Sequence, residues 1–427
     1  MKKHIKLLVV LGIIIVGSFS FYLFKGYKKD ALVYENNKIK PSSSGIAMML
    51  ETSAGSGNYE MTTRSEWPTE GYVFNENLSK CENGSKLSWD NENKKVLMSG
   101  NKSDKCYVYF DVYVKPQVLL ANYVKSLYVS NKGENGIYYH DASLTNGAGD
   151  NSYRFAGASD AVNNYVCFGS TQSPCPADNL YRIIGVFGDR VKLIKSDYAT
   201  TALLGADGDY SKMYTANNWD NSAYKGNNLA NVAGYTWNYK NNTTINSGYG
   251  SNTWSTSLLN KTNLNKNFIT NIGADWAAKI ADTTWKVGGN TWTNIAKQPA
   301  TQAYHKEIVS PVTTNTTDNA TDYSAKVGLM YASDYGFAAA PSAWTANLYT
   351  YNGEAIKNVN WMYMGIYEWT ISRYADDAYD VFYVYGTGSV YNDRANYAYG
   401  VRPVFNLSSS VNYASGSGTA ADPILVN

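Results

Sequence analysis

Between Tyr374 and Tyr399 the chain sets seven tyrosines among Asp, Asn, Ala and Gly, in the run "YADDAYDVFYVYGTGSVYNDRANYAY". Tyrosine gives a large contact area for few side-chain torsions, and Asn, Asp, Ser and Gly add adaptable polar contacts, the mixture found on antibody loops. The same ring stacks on a sugar face while Asp and Asn bond sugar hydroxyls. The residues expected at such a surface are Tyr374, Asp376, Asp377, Tyr379, Tyr385, Tyr391, Asn392, Asp393, Arg394, Asn396 and Tyr397, with a protein or a glycan as ligand. Alternation puts Val381, Tyr383 and Tyr385 on one strand face and Phe382 and Val384 on the other. Phe382, Val384 and Val390 are expected to pack inward, with a turn at Gly386-Thr387-Gly388. The competing reading is a solvated strand face, ordinary in a chain with 38 tyrosines against 12 phenylalanines.

Catalysis is not expected. Asp376 and Asp377 are neighbours, and on a strand adjacent carboxylates point to opposite faces, a poor arrangement for glycoside hydrolysis. Of three histidines, His4 flanks the N-terminal apolar run, while His140 and His305 are separated and read as exposed loop residues. No G-x-S-x-G, P-loop or H-E-x-x-H pattern occurs, and neither metal nor cofactor is expected. Charged residues are 17% and the net charge is +2, so nothing points to nucleic acid.

These side chains need elements to hold them. Leu7 to Phe24 is an uncharged apolar run of about 18 residues, the lower limit for a membrane-crossing helix. Lys2, Lys3 and Lys6 precede it and Lys25, Lys28 and Lys29 follow, so charge alone does not orient it. The alternative is a signal peptide cleaved after Ser18-Phe19-Ser20. Either reading exports the rest, and an anchor makes this a single-pass protein of the cell membrane with its C-terminal domains outside. Cys81, Cys106, Cys167 and Cys175 allow three pairings. Cys81 with Cys106 and Cys167 with Cys175 is the simplest, since each pair sits in one compact stretch. Four buried thiols are the alternative, and no C-x-x-C spacing suggests zinc.

The expected organisation is a cytoplasmic tip and anchor over 1–25, a stalk over 26–45, a small disulfide-stapled β-module over 46–116, a helical linker over 117–135 and a large domain over 136–427. In the module, "KLSWDNENKKVLMSG" reads as a hairpin. Leu119, Leu120, Tyr123, Val124 and Leu127 carry the helical spacing of the linker. In the large domain "YRIIGVFGDRVKLIKSD" is a hairpin turning at Gly188-Asp189, and "WSTSLLNKTNLNKNFITNI" is helical. "KVGLMYASDYGFAA" reads as strand then loop, and Pro403 puts "YGVRPVFNL" at an edge or bulge.

Gly365, Glu368, Trp369 and Thr370 match a G-x-x-x-E-W-T pattern, and Gly400, Arg402 and Val404 a closing G-[FV]-R-x-V strand. In this the chain resembles formylglycine-generating-enzyme-like (sulfatase-modifying-factor) proteins, a branch of the C-type-lectin-like folds. From about Gly136 to Asn427 it is also similar to exported domains of gut Firmicutes, sharing the Y-R-I-I-G-V-F hairpin, the Y-E-W-T-I-S segment and a "GSGTAADP" tail. The resemblance implies an α+β, C-type-lectin-like domain with much irregular loop. Glu368 and Arg402 would form an ion pair clamping the last strand, with Trp369 as packing, all three scaffold rather than catalytic. The family's oxidase uses reactive cysteines in this domain, and here none follows Cys175. Related iron enzymes need a histidine cluster that is also missing.

In the C-type-lectin-like targets of diversity-generating retroelements the variable residues occupy this C-terminal region. Tyr374 to Tyr399 looks like such a segment between fixed "YEWTIS" and "GVRPV". The oxygen-bearing stretch "NNWDNS", with Trp219 and Asp220, reads as a solvated loop, and the Glu-Pro-Asn signature of calcium-dependent lectins is missing. Two function classes stand: a surface receptor or adhesin, and a structural or assembly component of the envelope.

Overall fold

The computed structural model describes residues 45–101, 103–114, 116–214, 223–239, 248–311 and 321–427. Leu7 to Phe24, nearly all of the stalk and Asn217 to Ser222 lie outside the described residues. Among the described residues no helix is long and apolar enough to cross a membrane. The architecture is mixed α+β, mostly strands with few helices. It divides into two units, Met1–Pro116 and Gln117–Asn427.

The first unit is built on β1 (Ile46–Glu51), β2 (Tyr59–Thr62), β3 (Tyr72–Phe74), β4 (Lys80–Cys81) and β7 (Cys106–Val112), with β1 parallel to β7. Alternate residues Met48, Leu50, Val108 and Phe110 bury one face, joined by Trp67 and Val96. The expected hairpin is β5 (Lys86–Asp90) and β6 (Lys95–Ser99). Asp90 makes its turn by accepting the N–H groups of Glu92 and Asn93, both at 3.1 Å. The Cys81–Cys106 disulfide ties β4 to β7.

In the second unit a ten-stranded sheet collects β8 (Val118–Leu119), β9 (Ile137–His140), β10 (Ser152–Phe155), β11 (Tyr165–Cys167), β12 (Leu180–Phe187) and β13 (Arg190–Lys195). Its other members are β19 (Val327–Gly328), β24 (Val404–Asn406), β25 (Asn412–Ser415) and β26 (Ile424–Val426). Smaller sheets pair β14 (Tyr210–Met213), β15 (Ala233–Thr236) and β23 (Ala398–Tyr399), and β16 (Thr283–Lys286) with β18 (Asp322–Ala325). A four-stranded sheet runs β17 (Gly289–Asn290), β20 (Glu368–Tyr374), β21 (Asp380–Val384), β22 (Val390–Arg394). Gly188, at φ 65°, supplies the left-handed residue that turns β12 into β13. The Cys167–Cys175 disulfide is formed.

The helix Leu120–Ser126 of the expected linker is packed on its neighbours. Leu120, Ala121 and Val124 lie in the second unit's core, while Leu119 is exposed in β8. Several expectations need correcting. The expected loop after β19 is the helix Ala332–Phe337, capped at its start by Asp334 and Glu307. Asp334 Oδ2 accepts the Tyr331 N–H at 3.1 Å, and Glu307 accepts those of Ala332 at 3.1 Å and Ser333 at 2.9 Å. Pro403 marks neither edge nor bulge. It stands just before β24, which is paired on both sides, by β13 and β19.

His140 is likewise no loop residue. It ends β9 fully buried, with Nδ1 accepting the Ala148 N–H at 3.0 Å and its ring edge-on to Phe337. Burial, helped by the Arg154 charge, holds its pKa well below the ordinary 6.5. The unfolded chain therefore takes up a proton below pH 6.5 that the folded chain refuses, and stability falls as pH drops. Glu307, pushed up by burial to about 6, acts in the opposite sense between 4.5 and 6. The His140 contribution is read as the difference between wild type and His140→Gln. Urea midpoints at pH 7.5 and 5.5 should show wild type losing about 1.4 kcal/mol more than the variant. Equal losses would mean that this imidazole stays accessible to protons.

Candidate functional site

The Tyr374–Tyr399 segment forms β21, β22 and β23 with the turns between them. Val381, Phe382, Tyr383 and Val384 are all buried, so β21 has no solvent face. The expected alternation holds in the register, and Trp369, Tyr367 and Tyr399 cover the Tyr383 side, with Tyr399 at 4.8 Å and Tyr367 at 5.8 Å from its ring. Phe382, Val384 and Val390 pack into the core as expected.

The edge strand β22 is what remains at the surface. Tyr391 stands opposite Tyr383 and Asp393 opposite Val381, while Asn392 stands opposite Phe382 and Arg394 opposite Asp380. Tyr391 and Asp393 thus share one face, and Asn392 and Arg394 the other. The anticipated site is split between two faces of one hairpin.

On the Tyr391 face the rings form a connected shelf. Tyr391 lies 5.2 Å from Trp292 and 5.6 Å from Tyr349, which are 5.9 Å apart. Tyr385 follows at 5.8 Å from Tyr391, and Tyr367 at 4.5 Å from Tyr385. Tyr349 is exposed and the other four rings are half-buried against the core, at separations within the range of mutually supporting aromatic pairs. Asp393 borders them, accepting the Tyr399 hydroxyl at 2.6 Å. Tyr397, exposed, reaches the group only through the buried Tyr399 ring at 6.4 Å.

The other anticipated residues gather at the far end of the hairpin. Asp376 and Asp377 lie in the turn after β20 and not on a strand, so face alternation says nothing about them. Asp376 is exposed, whereas Asp377 Oδ1 accepts the N–H groups of Tyr379 at 2.9 Å and Asp380 at 2.7 Å. Asn252 fastens the turn from outside, its amide reaching the carbonyls of Tyr374, Asp377 and Asp380 at 2.9, 3.0 and 3.0 Å. Burial, then the Asp377 charge, pushes Asp380 up to about 7, and Asn392 donates to it at 2.7 Å. Arg394 covers the Tyr249 ring at 3.8 Å, Tyr249 touches Tyr379 at 5.1 Å, and Asn396 donates to the Gly248 carbonyl at 2.7 Å. Tyr374 and Tyr379 are half-buried here. This end is a self-bonded polar turn.

Glu368, paired with Val384 in the sheet, forms a buried ion pair with Arg402, with side-chain exposures of 2% and 0%. Arg402 grips the carboxylate with Nε at 2.7 Å and Nη2 at 2.9 Å, and Nη2 also meets the Met362 carbonyl at 2.8 Å. Trp369 Nε1 donates to the Tyr235 carbonyl at 2.9 Å. Gly365 has to be glycine: its φ is +92°, and a Cβ there would stand 2.1 Å from the Ala223 carbonyl oxygen. The second unit also buries Arg154, Arg182, Lys192, Lys195, Asp209, Glu307, Asp334 and Arg373, of which Lys192 and Asp334 are paired with each other.

Trp292, Tyr349 and Tyr367 were not anticipated. Tyr367 adjoins the E-W-T motif and was within reach of the sequence. Trp292 follows β17 and Tyr349 sits in the 3-10 turn Leu348–Thr350, and only the tertiary fold carries them to Tyr391. Among the described residues no group of three or more His, Cys, Asp or Glu could hold a metal ion. Comparison with family models, curated proteins and solved structures finds no match to this chain.

Proposed function

We propose that the chain is a membrane-anchored, exported surface protein whose C-terminal, C-type-lectin-like domain binds a protein or glycan through the aromatic shelf. The observation that carries this is the exposed junction of Trp292, Tyr349, Tyr391, Tyr385 and Tyr367, rings drawn from separate parts of the chain. Rings used only for packing would be covered, as Tyr383 and Tyr399 are. The two disulfides support an extracellular setting. Leu7 to Phe24 is the proposed anchor. The reading is of a binder and not an enzyme: the Asp393 carboxylate beside the shelf is engaged by Tyr399, and Asp377 at the turn by backbone N–H groups. Glu368, Trp369 and Arg402 support the lectin-like assignment as the clamp that its motif implies.

Diversification, where it acts, spares the buried Val381 to Val384 and falls on Tyr374, Asp376, Asp377, Tyr379, Tyr385, Tyr391, Asn392, Asp393, Arg394, Asn396 and Tyr397. Sequencing these codons in a population grown from one cell tests this part alone. Variation at the half-exposed positions supports it, and an invariant segment removes it while leaving a fixed binder. The binder itself is tested by changing Trp292 and Tyr391 and following both ligand capture and sedimentation. Loss of capture by a folded monomer supports the receptor. Unchanged capture with lost self-association would favour an envelope component instead.

A further inference from the structure

Lys192 lies in the middle of β13, paired with Gly185 on one side and Asn406 on the other, an unusual place for an ammonium group. Its Nζ is 2.5 Å from Asp334 Oδ2, across 142 residues of chain, and the side chains are only 7% and 3% exposed. Aromatic rings surround the nitrogen: Tyr331 at 4.8 Å, Phe187 at 5.4 Å and Trp285 at 5.9 Å. On the far side of the carboxylate, Arg154 Nη1 stands 3.6 Å from Oδ1 while its Nη2 is held by Asp150 at 2.6 Å. Glu307, also buried, caps the helix that carries Asp334. None of these groups belongs to the aromatic shelf.

We propose that Lys192 and Asp334 become joined by an intramolecular isopeptide bond. A desolvated ion pair is held at high cost, whereas an amide of the same atoms carries no charge. Burial lowers the lysine pKa, which favours the neutral amine that attack requires. A proton passes along the short Nζ–Oδ2 contact, turning ammonium and carboxylate into amine and carboxylic acid. The amine lone pair adds to Cγ, and the negative charge that develops on Oδ1 faces the Arg154 guanidinium. Collapse breaks the Cγ–Oδ2 bond and releases the oxygen as one water with a second Nζ proton. The Nζ–Cγ bond replaces the one broken. No oxidant or reductant takes part, and the Glu307 charge nearby acts on the Lys192 nitrogen. The product is a covalent tie between β13 and the helix Ala332–Phe337, closing a loop that neither disulfide closes.

The test is the mass of the full chain, denatured and with both disulfides reduced. The expected result is a mass one water below that of the sequence. Proteolysis should then yield a single branched peptide carrying positions 192 and 334. Lys192→Arg should restore the full mass, and the wild-type measurement stands even where that variant folds poorly. A wild-type chain of full mass, with Lys192 and Asp334 in separate linear peptides, overturns the proposal. So does a missing water that fragmentation maps elsewhere.

Discussion

Arg402→Ala is expected to destabilise the second unit by about 3–5 kcal/mol, enough to unfold a domain of ordinary stability at moderate urea concentration. The cost comes less from lost attraction than from what is left behind. Glu368 is buried, and without Arg402 its carboxylate keeps no cation to offset desolvation, which already pushes its pKa upward. The Met362 carbonyl also loses its donor. Because both side chains are almost wholly inaccessible, added salt should not rescue the variant. The double variant Glu368→Met with Arg402→Met removes both charges and should recover most of the loss. Urea midpoints for the three chains decide the matter. A loss under about 1 kcal/mol for the single variant would show that the pair behaves as an exposed one.

Trp292→Ala and Tyr391→Ser should each weaken ligand capture by about 2 kcal/mol, roughly thirtyfold, if the shelf is the centre of the interface. Together they should abolish measurable binding while melting close to wild type, since both rings are only partly covered. The opposite face supplies the control. Asn392→Ala and Arg394→Ala alter neighbouring positions on the same strand but face the other way, and should leave affinity within about threefold. Surface-captured protein titrated with glycan and protein fractions gives both numbers. Equal losses on the two faces would mean that the hairpin is recognised as an edge, through its backbone, and not through its rings.

The parts of this arrangement that the sequence disclosed are those with a local cause. The β5–β6 and β12–β13 hairpins follow from turn residues between apolar runs, and both disulfides join cysteines close in sequence. The Glu368–Arg402 clamp was legible through its motif. What was hidden depends on neighbours far along the chain. Alternation set Tyr383 on the face opposite Phe382 and Val384 but could not show that three rings from other segments cover it. His140 looked like a loop residue because nothing local shows that Phe337 and Trp344 close over it. Trp292 and Tyr349 could not be assigned to the site, because their proximity to Tyr391 exists only after folding. The Asp376-Asp377 pair misled for a simpler reason: a turn has no period of two.

One more consequence follows from where the second unit begins. Its first strand, β8, has two residues and pairs only with β25, and Leu120 donates just beyond it to the Val411 carbonyl at 2.8 Å. On the other side of β25 lies β26, the end of the chain. The chain therefore enters the second unit through a strand paired at only two positions, Asn412 with Leu119 and Tyr413 with Val118. Fraying of that strand costs few hydrogen bonds and none in β20, β21 or β22, which belong to a separate sheet.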